Sequence, residues 1–250
     1  MPGFFFSETS AFHVVLLSSY TKYSVLHVHT GGTRMNGVIK QGNAANQWGV
    51  CGFVGVLNAL HQEGKLQSFG RTLSMNEIQQ RLGAEIITYL KMTEVERPQI
   101  TSAILTYTQS FGPPYSGYAS INDICNRIAA EVRTGRGPAD WANFQGGIGV
   151  AMPASAVQDY AAFVGLKSTQ PPVNDAPFTA SELLKHRDCI VGCGRAPKND
   201  PENGLRHWVY IDKNGCLLNW GVKTDLNTSP LPQAVLAKNY GYIPAVVQLQ

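Results

Sequence analysis

From Cys51 to the C-terminus of this chain, the hydrophobic periodicity changes once, from helical to strand-like, and that single change limits the fold most. Val54, Leu57 and Leu60 recur at helical spacing from Cys51 to about His61. Ser74-x-x-Glu77 is a capping box opening a helix whose stripe is Met75, Ile78, Leu82, Ile86 and Leu90. Pro98 suits the first turn of another, running to about Ser110. Ser120 can cap the next, with Ile121, Ile124, Ile128 and Val132 inward. Ser155-x-x-Gln158 opens a helix carrying Tyr160 and Phe163, and Thr179-x-x-Glu182 opens a short one over 180–186. The segments 189–193, 206–212, 216–220 and 243–249 then read as strands bounded by turn residues. Two more strands are expected at 12–18 and 23–29, followed by a Gly- and Asn-rich loop over 31–49. Strands and helices are segregated rather than alternating, which predicts an α+β fold with a C-terminal antiparallel sheet. One domain, 1–250, is expected. It comprises a β start and loop (1–50), a helical part (51–187) and a β part (188–250).

A length of 250 residues is ample for a hydrophobic core. Only 15% of residues are charged and the net charge is +3, so neither disorder nor a nucleic-acid footprint is expected. No apolar run approaches the roughly 18 residues of a membrane span. Phe4, Phe5 and Phe6 are followed by Ser7, Glu8 and Thr9, without the basic and small-residue parts of a secretory leader. The expected location is cytoplasmic, or outside the cell by a route that leaves no such mark.

The cysteines are Cys51, Cys125, Cys189, Cys193 and Cys216, an odd and sparse set that is not a disulfide framework. Reactivity becomes the question. Cys51 follows a glycine-containing loop and opens a helix, where unpaired N–H groups and the helix dipole favour a thiolate. Gly49 and Gly52 would let a substrate backbone approach. A buried, inert cysteine at a helix start is the plainer alternative.

His207 opens a strand, and the next strand carries Asn219-Trp220-Gly221. A three-residue Lys213-Asn214-Gly215 loop with Gly215 left-handed pairs Asp212 with Cys216 and hence Val209 with Asn219. Asn219 then becomes the diagonal neighbour of His207 on one face. A two-residue loop would put it on the other face. Asp212 is the rival orienter, about 16 Å along the strand at ~3.3 Å per residue. A metal set of Cys189, Cys193, His207 and Cys216 lacks the close C-x2-C spacing of structural zinc sites. No metal and no cofactor is expected.

A cysteine at an early helix start, a helical region, then His and Asn on late adjacent strands: this resembles the papain-like cysteine peptidases, whose His and Asn lie roughly 130–150 residues after the cysteine. Gln47-Trp48-Gly49-Val50-Cys51-Gly52-Phe53 is similar to the family's Gln…Gly…Cys loop, and Asn219-Trp220-Gly221 to its Asn-Ser-Trp-Gly. The family's oxyanion glutamine usually lies six positions before the cysteine, where this chain has Ala45. Gln47 and Asn46 are the nearby amides, and Gly52 stands where the family has tryptophan. These departures fit the divergent bacterial set, which includes injected effectors and toxins. The resemblance implies a Cys51–His207–Asn219 triad acting on amide bonds of a protein or peptide. Gln47 would be an oxyanion donor, and Trp48, Trp208 and Trp220 would flank the cleft. Protease and glutamine deamidase run through the same acyl-thioester. A transglutaminase or acyltransferase on the same triad, or an inactive papain-like binding protein, are the alternatives.

Overall fold

A helix buried on all sides organises the structure. In this computed structural model, residues 50–68, 71–72, 75–113, 115–133, 148–198, 202–219, 221–228 and 234–250 are described, all within the unit Gly31–Gln250. The strands expected at 12–18 and 23–29 and the 31–49 loop lie outside them, as does Ser74.

Helix α1 (Cys51–Gln62) is buried at every position from Cys51 to His61. The sequence suggested one apolar stripe. A helix apolar all round belongs instead in a core. It packs between sheet and helices through two glycines: a Cβ on Gly52 would meet Met152 and Val157, and one on Gly55 would meet Ile190. Gly64 ends the helix at φ 68°, with Lys65 N–H bonded to the Leu60 carbonyl.

A small hairpin, β1 (Gln67–Ser68) and β2 (Arg71–Thr72), leads to α2 (Met75–Glu96). Leu82, Ile86, Tyr89, Leu90 and Thr93 are fully buried on it. Helix α3 (Pro98–Gln109) carries proline in its first turn, as expected. Helix α4 (Ile121–Arg133) is capped reciprocally: Asp123 N–H donates to Ser120 Oγ, and Asp123 Oδ2 accepts the Ser120 N–H. Ile121, Ile124 and Ile128 are buried, but Val132 is 37% exposed, so the stripe outruns the surface that covers it.

Helix α5 (Ala154–Phe163) corrects the expected Ser155 cap. Its N-cap is Pro153, without a side-chain cap bond, so Ser155 already lies inside the first turn. The Glu202 carboxyl lies near this helix start, where the Ala154 N–H draws its pKa down against the burial that raises it. Phe53, Tyr89, Tyr160 and Phe163 meet edge to face and join α1, α2 and α5. Two short strands follow, β3 (Ser168–Thr169) and β4 (Ala176–Pro177), then α6 (Ala180–Leu183), where Thr179 Oγ1 accepts the Glu182 N–H as expected. The helix is shorter than the 180–186 suggested.

The remaining elements are β5 (Cys189–Gly194), β6 (Leu205–Ile211), β7 (Cys216–Asn219), β8 (Val222–Asp225), α7 (Ala234–Asn239), β9 (Tyr242–Ile243) and β10 (Val246–Leu249). The last expected strand is broken between β9 and β10, where Pro244 brings no N–H. The main sheet runs β3-β10-β5-β6-β7-β8, with β9 on β5 and β4 on β9, and every described pair is antiparallel. The fold is α+β. Its segregation is looser than the sequence suggested, because β1 to β4 lie in the helical stretch and α7 in the β stretch.

Alternate residues of β5 and β6 serve two cores. Ile190, Trp208 and Tyr210 face the layer of α1, whereas Cys189, Val191, Cys193, Val209 and Ile211 face the layer of α6 and α7. Both faces of these strands are therefore covered. No helix among the described residues is long and apolar enough to cross a membrane.

Candidate active site

Cys51 is the first residue of α1, and its sulfur meets three backbone N–H groups: its own, that of Gly52 and that of Trp208. The first two are donors that a helix start leaves unpaired. The third comes from the sheet. Tyr210 pairs with Leu218 on β7, and the described β6–β7 pairs end there. In an antiparallel ladder, Trp208 turns its N–H to the same side as Tyr210. Beyond that point its N–H acts on the Cys51 sulfur, drawing the thiol pKa down. The helix start is thus seated against the residue that follows His207.

His207 lies on β6 opposite Cys193, next to a register shift between Cys193 and Gly194. Its Nε2 is 2.7 Å from Asn219 Oδ1. A carboxamide oxygen only accepts, so Nε2 carries the proton and Nδ1 is the basic atom of the neutral ring. The hairpin brings this about as its loop length requires. Gly215 has φ 81°, Asp212 N–H donates to the Cys216 carbonyl, and the ladder runs Ile211–Leu217, Tyr210–Leu218. The ring of Tyr240 stacks on the imidazole at 5.8 Å between centroids and 12° between planes.

Asp212 is occupied elsewhere. Its Oδ1 accepts the N–H groups of Asn214 and Cys216, and its Oδ2 pairs with Lys223. It secures the turn rather than the imidazole.

Both candidate side chains are buried, Cys51 at 4% exposure and His207 at 1%. Burial pushes the Cys51 thiol up from 9.0 to about 12, although the three N–H groups act in the opposite direction. Burial likewise holds His207 down from 6.5 to about 4, against the pull of the Asn219 bond. With these directions, both groups are uncharged at neutral pH.

Two expectations, on Gly52 and Trp208, need correction. Gly52 does not open a path for substrate: its Cα faces Met152 and Val157, and its smallness lets α1 pack there. Trp208 is a core residue, 2% exposed, with Nε1–H bonded to the Met152 carbonyl at 2.8 Å, so it walls no cleft. The alternative metal set does not assemble. Cys189 and Cys193 face the α6 and α7 layer, whereas Cys216 packs on the α1 side. No group of three or more His, Cys, Asp or Glu among the described residues is arranged to hold a metal. All five cysteines are free. Gln47, Asn46, Trp48, Gly49 and Trp220 lie outside the described residues.

Two neighbours of these residues escape sequence reasoning, the Trp208 amide and Tyr240. The first is a backbone group, exposed to the sulfur by the course of β6. The second follows a six-residue helix and carries no motif. No family model, no curated protein and no solved structure matches this chain.

Proposed function

We propose that the protein is a papain-like thiol hydrolase of amide bonds, with Cys51 as nucleophile, His207 as general base and acid, and Asn219 as orienter. The observation that supports it most is the His207 Nε2 to Asn219 Oδ1 contact of 2.7 Å, one residue from the amide that meets the Cys51 sulfur. His207 Nδ1 takes the thiol proton, and the thiolate attacks the amide carbonyl. The Cys51 N–H receives the developing oxyanion, with Gln47 as the second donor that the family resemblance implies. The imidazolium gives its proton to the leaving nitrogen, an amine from a peptide bond or ammonia from a glutamine side chain. Water then cleaves the thioester and returns the proton to the thiol.

The near-complete burial of Cys51 favours one competing reading, an inert shell of the same fold that binds a partner. Limiting iodoacetamide with peptide mass spectrometry separates the two. Cys216 is the more exposed thiol, so inert cysteines label with Cys216 first. An activated Cys51 labels before Cys216. Labelling in order of exposure removes the hydrolase reading. Mass spectrometry of candidate protein substrates, treated with wild type or Cys51→Ala, then reads a new amine terminus or released ammonia. A transferase gives neither.

A further inference from the structure

Arg206 stands directly before His207 on β6 and two residues before Trp208, whose amide meets the Cys51 sulfur. It is the extra residue of a bulge: Cys193 pairs with His207 and Gly194 with Leu205, so no residue of β5 lies opposite Arg206. Such a bulge re-aims the side chain it carries. Here the guanidinium lies over the Phe111 ring, 5.2 Å from its centroid, and Nη1 donates to the Leu205 carbonyl at 2.8 Å. The same carbonyl accepts the Tyr107 hydroxyl at 2.6 Å, and Tyr107 meets Phe111 edge to face. Tyr107 and Phe111 belong to the core that encloses α1, so the head group is fixed on the side of the helix that begins with Cys51.

These partners are all neutral. Among the described residues no carboxylate lies within ion-pair distance of Arg206, whereas Arg97 pairs with both Glu96 and Asp159. Glu202, four residues back, stands near the Ala154 N–H at the start of α5. The sequence before the nucleophile offers no acid either. Glu8 and Glu63 are consecutive carboxylates, so residues 9–62 contain none, while they carry Lys22, Arg34 and Lys40. Arg206 is half-buried. It has therefore given up part of its hydration without gaining a counter-charge. Its planar fork matches a carboxylate in shape as well as in sign.

We propose that Arg206 directs this site to acidic peptides, its guanidinium receiving the carboxylate of an aspartate or glutamate that flanks the amide attacked by Cys51. The inference rests on the thiol-hydrolase reading and names the substrate class of that same site. Arg206 takes no part in bond making. It supplies the counter-charge for a substrate that brings the carboxylate the protein itself lacks there, and Phe111 and the Leu205 carbonyl hold the fork in place before the substrate arrives.

The test compares two alkylating probes of nearly equal shape, N-bromoacetyl-glutamate and N-bromoacetyl-glutamine, on the full-length chain. In both, a thiolate displaces bromide and forms a thioether, and only the charge of the side chain differs. Peptide mass spectrometry gives the glutamate-to-glutamine rate ratio at Cys51, with Cys216 of the same chain as reference. A charge-assisted bond to Arg206 predicts a ratio at Cys51 about tenfold above that at Cys216. Arg206→Gln removes that excess, and Arg206→Lys, which keeps the charge but loses the fork, retains part of it. A wild-type ratio at Cys51 no higher than at Cys216 overturns the inference, and so does an excess that persists in Arg206→Gln. In either case, alkylation of Cys51 ahead of Cys216 leaves the hydrolase reading standing. A Cys51 that reacts with neither probe ahead of Cys216 removes that reading, and Arg206 falls with it. Should Arg206→Gln fail to fold by circular dichroism, Arg206→Met, which keeps an unbranched stem against Phe111, takes its place.

Discussion

His207 Nε2 and Asn219 Oδ1 meet at 2.7 Å across a hairpin whose turn lies at the far end of both strands. The turn nevertheless decides the contact. With Gly215 at φ 81° and Asp212 bonded to Cys216, the ladder continues through Ile211–Leu217 and Tyr210–Leu218. Its next step sets Val209 beside Asn219, and His207 one diagonal away on the same face. A loop one residue shorter would turn the carboxamide to the opposite side of the sheet.

Two substitutions on this hairpin have separable effects. Asn219→Ala leaves the Nε2–H of a buried ring without this acceptor, costs about 1–3 kcal/mol and, on the proposed thiol-hydrolase reading, lowers kcat. Loss of a base's orientation on that scale predicts a fall of roughly 10²-fold with KM little changed. Asp212→Ala strands two backbone N–H groups and the Lys223 ammonium, so it costs stability of about 2–4 kcal/mol. Its kcat per folded molecule stays within about threefold. Urea unfolding combined with steady-state kinetics checks both. An Asp212 variant that loses turnover while fully folded would transfer the orienting role to Asp212.

What was legible in the sequence is what short-range physics controls. The α3 start at Pro98, the Ser120 box of α4 and the Thr179 cap of α6 are local signals, and each appears where its residues stand. The diagonal relation of His207 and Asn219 was one of two registers the sequence left open, and the three-residue loop selects it. Features set by distant packing were not. The stripe of α1 is only part of a helix buried all round, since Gly52 and Gly55 admit Met152, Val157 and Ile190. The carboxyl beside the start of α5 is that of Glu202, far along the chain. Tyr240 stands on His207 only because the segment after α7 is tied to Gly194.

Stability should fall on both sides of neutrality. The folded protein holds His207 at about 4, below its ordinary 6.5, because burial disfavours the imidazolium. The unfolded chain therefore takes up the proton first. Stability is full above about 6.5 and is lost as pH falls from there towards 4. Burial shifts His61 and His186 downward as well, and they add to the same loss. Cys51 has the opposite sign. Its thiol rises from 9.0 to about 12 on folding, so stability is full below 9 and is lost as pH climbs towards 12. Thermal melts against pH check this. The acid-side slope should be shallower in His207→Gln and the alkaline slope shallower in Cys51→Ser.

Glu202 acts at a distance from the reacting groups. Its carboxyl feels the Ala154 N–H and brings negative charge to the start of α5. Glu202→Ala removes a helix cap and costs about 0.5–2 kcal/mol. Glu202→Gln keeps an acceptor oxygen and recovers most of that loss. Chemical denaturation of the two variants measures the difference, and equal stability would mean that the carboxylate does not cap the helix.

Gly52→Ala tests whether α1 must sit as deep as it does. An added Cβ lies 2.8 Å from Met152 Sδ, 3.0 Å from Met152 Cβ and 3.1 Å from Val157 Cγ2. The Met152 carbonyl holds the Trp208 indole N–H, and the Trp208 amide in turn faces the Cys51 sulfur. Relief of the clash by retreat of α1 draws Cys51 off that amide, and relief by movement of Met152 shifts Trp208. Either way, overpacking costs about 1–3 kcal/mol. Turnover per folded molecule falls with it. Gly55→Ala is the control on the same helix, since its Cβ meets only Ile190, at 3.0 Å. It should cost stability without a matching loss of turnover. Denaturation midpoints and kcat for the pair give the answer. Equal turnover in both variants would show that the depth of α1 serves packing alone.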